Sequence, residues 1–123
     1  MSLFKCIRDD KTCQSLLSSR GHIRLYPHGE APEGVAFPYA VYQVIGGRPL
    51  NCVNSNKTST DDVLYQIDVY DTEYNRVHET VNAMRSALEY IGRIETVPRT
   101  TRDGTTKHWR CSFDVSVYEN RLQ

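Results

Sequence analysis

The sequence predicts an α+β domain: a mixed, largely antiparallel sheet of four or five strands, with one long helix and a short N-terminal helix packed on it. Three stretches carry that expectation. From Asp62 to Tyr70 the chain alternates, with Val63, Tyr65, Ile67 and Val69 pointing one way and Leu64, Gln66, Asp68 and Tyr70 the other, as a half-buried strand requires. Directly afterwards Tyr74, Val77, Val81, Met84, Leu88 and Ile91 recur at spacings of three and four, which aligns them as one apolar stripe on a helix. Near the end Trp109, Cys111, Phe113, Val115 and Val117 alternate with Arg110, Ser112, Asp114 and Ser116, a second long strand with an apolar and a polar face. Asp71 or Thr72 is expected to cap the long helix, and Gly92 to close it.

The remaining elements follow in chain order. Leu3, Cys6 and Ile7 form one helical face and Cys13, Leu16 and Leu17 another, so the chain opens with a short helix or a broken pair, with Asp10 or Thr12 as the cap between them. Ile23-Arg24-Leu25-Tyr26 alternates as a brief strand that Pro27 stops. Residues 27 to 38 carry three prolines and two glycines and read as an ordered loop. Tyr39 to Ile45 is rich in β-branched and aromatic residues and reads as a strand ended by Gly46-Gly47. The polar stretch from Arg48 to Thr60 has little pattern, and connections this long inside a domain usually function or move. Arg93 to Val97 alternates, and Asp103-Gly104 is a hairpin turn signal leading into the last strand. The whole chain, residues 1–123, reads as a single domain.

Composition excludes several classes of function. Lysine plus arginine equals aspartate plus glutamate at 15 each, so no whole-protein field draws the chain to nucleic acid or to a membrane. Cys6, Cys13, Cys52 and Cys111 form no CxxC pair and have no histidine at zinc-finger spacing; they read as reduced thiols of a cytoplasmic protein. No apolar run is long enough to cross a bilayer.

Candidate chemistry is sparse. His22, His28, His78 and His108 are scattered without metal spacing, and no metal or cofactor is expected. Asp68 and Asp114 sit on the polar faces of two strands and would approach one another if those strands are neighbours, the geometry an acid–base pair needs. The plainer reading is two hydrophilic positions on an exposed sheet face, and no enzyme is built on them. Gly46-Gly47 lacks the lysine of a phosphate loop. Basic residues cluster at Arg48 and Lys57, and again at Arg99, Arg102, Lys107, His108 and Arg110. A nucleic-acid reader would show aromatics interleaved with such a patch; here the run reads as a solvated turn, able at most to line a passage through which DNA moves unread.

A family resemblance spans nearly the whole chain. The order of a short N-terminal helix, Arg24-Leu25-Tyr26-Pro27, Ala31-Pro32-Glu33-Gly34, the proline-flanked Pro38-Tyr39-Ala40-Val41-Tyr42, Gln66 to Tyr70, a helix with Met84-Arg85-Ser86-Ala87-Leu88 and Arg110 to Val115 resembles the tail-completion family of tailed bacteriophages. These small proteins are also described as tail terminators or tail-to-head joining proteins. The resemblance implies a structural virion protein of a phage or prophage, a ring of usually six subunits that caps the tail tube, terminates its polymerisation and docks to the head. The implied partners are further copies of the chain, the tail-tube protein, the head-connector protein and DNA in transit, with no cofactor and no membrane. The implied location is the bacterial host cytoplasm during assembly and then the tail or neck of the virion. Tyr42, Gln66, Asp68 and Tyr70 become candidate subunit-interface residues, and Arg48, Lys57, Arg102 and Lys107 candidate lumen or partner-loop residues. A different small head-tail connector or neck protein, and a small α+β enzyme using Asp68 and Asp114, are the alternatives.

Overall fold

The computed structural model describes residues 3–50 and 60–120; Cys52 and Lys57 lie outside them. Two short helices, α1 (Leu3–Asp9) and α2 (Lys11–Leu17), precede three short strands, β1 (Ser18–Ser19), β2 (His22–Ile23) and β3 (Leu25–Pro27). The long strands β4 (Tyr39–Pro49) and β5 (Thr60–Asp71) lead to α3 (Tyr74–Leu88), and β6 (Gly92–Ile94), β7 (Arg99–Arg102) and β8 (Trp109–Asn120) complete the chain. The main sheet runs β3-β4-β5-β8-β6, with β7 also paired to β8 and β3–β4 the parallel pair. The fold is α+β as expected, and its sheet is larger than the four or five strands expected. The extra strand arises because the segment beside β8 breaks after Ile94 and resumes at Arg99, so that β6 and β7 lie along the same edge. Pro98, which has no amide to donate to a ladder, sits in that break.

The N-terminal segment is a pair of helices, and Asp10 caps the second by accepting from the Cys13 amide at 2.9 Å. The central strand and helix keep the expected phase. Val77, Val81, Met84 and Leu88 are fully buried, each worth about 1.5–3 kcal/mol as an upper bound. They pack with Leu3, Ile7 and Leu17 from the first helices and with Ile67, Val69, Phe113, Val115 and Val117 from the sheet. All three helices therefore feed one core on one face of the sheet. Cys6, Cys13 and Cys111 are free and buried, and burial is the main influence raising each thiol above its ordinary range, so they pack as small apolar groups.

Three local expectations are corrected. Glu73, not Asp71 or Thr72, occupies the cap position of α3, without a side-chain capping bond. Asp71 instead sits fully buried at the end of β5, accepting from Arg76 Nε and Nη2 at 2.6 Å each and from the Glu73 amide at 3.2 Å. Gly92 does not close the helix, which ends at Leu88 with Glu89 as its cap, but opens β6. It must be glycine there because a Cβ would lie 2.1 Å from the Ser116 carbonyl oxygen. Finally β4 does not stop at Gly46-Gly47 but continues to Pro49, opposite Asp61. The register shifts between Val44 and Gly46, and Gly47 adopts φ +129 with the Asp62 carbonyl where a Cβ would go. The glycines bend the strand rather than end it.

Asp71 links acidity to stability. Burial is the largest influence and opposes its ionisation, but the Arg76 hydrogen bonds, the Glu73 amide and the Arg76 charge together outweigh it, leaving the carboxyl below its ordinary value. The unfolded chain therefore binds the proton more readily. The stabilisation is complete above the unfolded carboxyl pKa of about 3.9 and is lost as pH falls through the lower folded value. Asp71→Asn is expected to cost about 2 kcal/mol at neutral pH. Urea unfolding at stepped pH checks this: the difference from the parent chain should shrink below about pH 4.

Candidate functional site: the open face of the sheet

The face of the sheet turned away from the helices contributes no residue to the core cluster. Register pairing arranges it in rows across β4, β5, β8 and β7. Tyr39, Tyr70, Arg110 and Thr101 form one row, Val41, Asp68, Ser112 and Arg99 the next, and Gln43, Gln66 and Asp114 a third. This is the outcome of a period-two pattern in three adjacent strands: one set of residues builds the core and the alternate set forms a polar surface.

Gln66, Asp68 and Tyr70 are brought together on this face. Tyr42 is not with them. It pairs opposite Ile67, and through Ile67 opposite Phe113, so its ring lies on the core side, edge-to-face with Tyr65 at 6.0 Å. The physical reason is the alternation itself, since Tyr42 stands one residue out of phase with Val41 and Gln43.

The strands of Asp68 and Asp114 are neighbours, but the residues are offset: Asp68 faces Ser112 and Gln66 faces Asp114. Asp68, only 4% exposed, accepts from the Ser112 hydroxyl and from the Gln66 amide at 3.2 Å. Its hydrogen-bond partners are thus neutral donors, and no shared-proton carboxylate dyad is formed. One Asp114 carboxylate oxygen is buried without a hydrogen-bond partner. No group of three or more metal-ligating side chains occurs among the described residues. His78 is half-buried on α3, in contact with the Thr100 hydroxyl at 3.3 Å and against the Tyr74 ring, a packing position on the helix side.

The basic residues fall at two places. Arg48 lies in β4, not in a loop, exposed and opposite Asp62 near the far end of the long β4–β5 pair, where Val44 is 62% exposed. Arg102 and Lys107 flank the β7–β8 turn. Asp103 organises this turn by accepting from the Thr105 and Thr106 amides at 2.8 and 3.2 Å, and those bonds, Thr105 first, hold its carboxyl below the ordinary range.

Between that turn and the first row of the open face lies a cavity of about 460 Å³. Its wall includes Tyr39, Tyr70, Arg102, His108 and Arg110. Tyr39 and Tyr70 are stacked, with centroids 5.0 Å apart and planes 19° from parallel, and Phe37 meets the His108 ring at 4.6 Å. Arg110 stands directly opposite Tyr70 in the ladder, and its charge partly opposes the effect of burial on the phenol. Burial is the main cause raising both phenols above their ordinary range, so they hold their protons as donors at neutral pH. Sequence reasoning missed this cluster. The aromatics come from β4 and β5 and the cations from the β7–β8 hairpin, and they are joined by the cross-strand pairs Tyr39–Tyr70 and Tyr70–Arg110.

Comparisons with known proteins were made against this geometry. The family model described as "Tail completion protein gp17" matches residues 1–120. A search of curated proteins found no match. Among solved structures, a chain from a structure described as "Virion of native gene transfer agent (GTA) particle" is similar in fold, with TM-score 0.64 at 12% identity over 95% of this chain and 90% of that one.

Proposed function

We propose that this chain, which belongs to the tail completion protein gp17 family, forms a ring at the end of a phage-type tail tube, stops the growth of the tube and offers the surface to which the head docks. The family is one of structural proteins of the virion tail, and the match to its model over residues 1–120 is the observation that carries the reading. The geometry is of the right kind. A ring is a heterologous contact that closes on itself and needs two different complementary patches on each subunit. The open polar face around Gln66, Asp68 and Tyr70 is one candidate. The exposed end of the β4–β5 pair, with Val44 and Ile45, is a second. The partners are then further copies, the tail-tube protein and the head connector, with assembly in the host cytoplasm and a final place in the tail or neck. DNA leaving the head crosses the lumen, and Arg48, Arg102 and Lys107 line that passage; Lys57, the fourth candidate from the sequence, lies outside the described residues.

Light scattering across a concentration series, with negative-stain images, tests this reading. The expected result is a discrete species of about six subunits with a central hole, formed by the protein alone or on addition of purified tail tubes. A chain that stays monomeric and neither caps those tubes nor alters their length would overturn it.

A further inference from the structure

We propose that the cavity between the β7–β8 turn and the stacked Tyr39–Tyr70 pair binds single-stranded nucleic acid without sequence preference, one nucleotide unit seated with its phosphate at Arg110 and its base against the tyrosines. The proposal goes beyond the ring reading and is tested on the protein without a tail.

Four observations carry it. The volume of about 460 Å³ lies within the range of small-ligand sites and admits one nucleotide but not a duplex. The Arg110 guanidinium has no ion-pair partner among the described residues and stands directly opposite Tyr70, whereas Arg102 pairs with Trp109 and lies over that ring at 5.1 Å, on the helix side of the sheet. Asp103, also in the cavity wall, is turned to two turn amides, Asp68 is held by Ser112 and Gln66, and neither carboxylate forms an ion pair with Arg110. Lastly, an aromatic pair stands beside Arg110, the combination that lets a protein hold a backbone electrostatically and a base by stacking. An acidic peptide would use the cations but would gain nothing from the tyrosines, and bases inside a duplex are not free to stack on them.

Fluorescence anisotropy with a short labelled oligothymidylate tests the site. Binding is expected at low salt and should weaken as salt rises. Arg110→Gln, an exposed substitution, should lower the slope of log affinity against log salt by about 0.7 to 1. Tyr39→Leu should weaken binding about tenfold. Lys11→Gln on α2 should bind as the parent does, and a duplex of equal length should bind more weakly than the single strand. No binding at low salt, an unchanged slope in Arg110→Gln, or an equal loss in Lys11→Gln would overturn the proposal. So would displacement of the oligonucleotide by poly-glutamate as readily as by unlabelled oligothymidylate, which would make the cavity an acidic-peptide site. Because each readout is taken on the isolated chain, a failure here leaves tube capping untouched, and a failure of capping leaves this site standing.

Discussion

Phe113→Ala is expected to lower the unfolding free energy by about 3–5 kcal/mol. Phe113 is fully buried in β8, opposite Ile67, where the sheet meets the helices. Its removal deletes apolar contact from both layers at once, and neighbours held by two strands and a helix cannot collapse into the space. Against a typical stability of about 5–15 kcal/mol, that is a large share of the total. Urea unfolding should show a lower midpoint with an unchanged slope, the sign of lost stability without a change in the surface exposed. Val97→Ala, at a side chain 79% exposed, should stay within about 0.5 kcal/mol and serves as the control.

Arg24→Ala is expected to cost about 3 kcal/mol by a different mechanism. Arg24 is 7% exposed between β2 and β3. Its Nε donates to the Pro38 carbonyl at 2.7 Å, Nη2 donates to the Leu16 carbonyl at 2.8 Å and Nη1 donates to the Ser19 hydroxyl. One guanidinium thus ties the end of α2, the first strand and the start of β4 together, and desolvation on burial lowers its pKa. Its loss strands two carbonyls whose other possible partner is water. Arg24→Lys should recover little, since a single ammonium cannot reproduce a planar fork aimed at three acceptors. Thermal unfolding of the two variants beside the parent decides it: recovery of the parent midpoint by lysine would mean that charge alone, not the fork, holds the three segments.

Both variants touch what the ring reading and the cavity depend on only indirectly. Phe113 supports the strand that carries Ser112 and Asp114 on the open face, and Arg24 holds the chain where it turns into Tyr39. A destabilised chain would therefore lose the proposed tube capping through lost folded protein, whereas Arg110→Gln, at an exposed side chain, should leave the unfolding midpoint unchanged. Measuring stability beside capping and binding separates these causes.

Much of the architecture was legible in the chain. The stripe from Val77 to Leu88 forms α3, the alternation of β5 and β8 separates core from open face, and Asp10 caps α2. These features depend on residues close in sequence, so a helix period, a strand period or a cap can be read before the fold is known. Function was legible only through the resemblance spanning the chain, and the match over residues 1–120 established the family.

Register and long-range pairing belonged to the tertiary structure. Arg24 looked like the polar member of a short alternating strand and is a buried clasp, because its acceptors come from Leu16, Ser19 and Pro38. Tyr42 was grouped with Gln66 as an exposed-face residue and lies on the other side of the sheet, and Asp68 and Asp114, on neighbouring strands, are offset by two residues. Tyr39 and Tyr70 stand 31 positions apart in sequence yet stack beside Arg110. Periodicity assigns each residue a face within its own strand; only the pairing of strands decides which side chains from distant segments meet, and the cavity and the clasp are both products of that pairing.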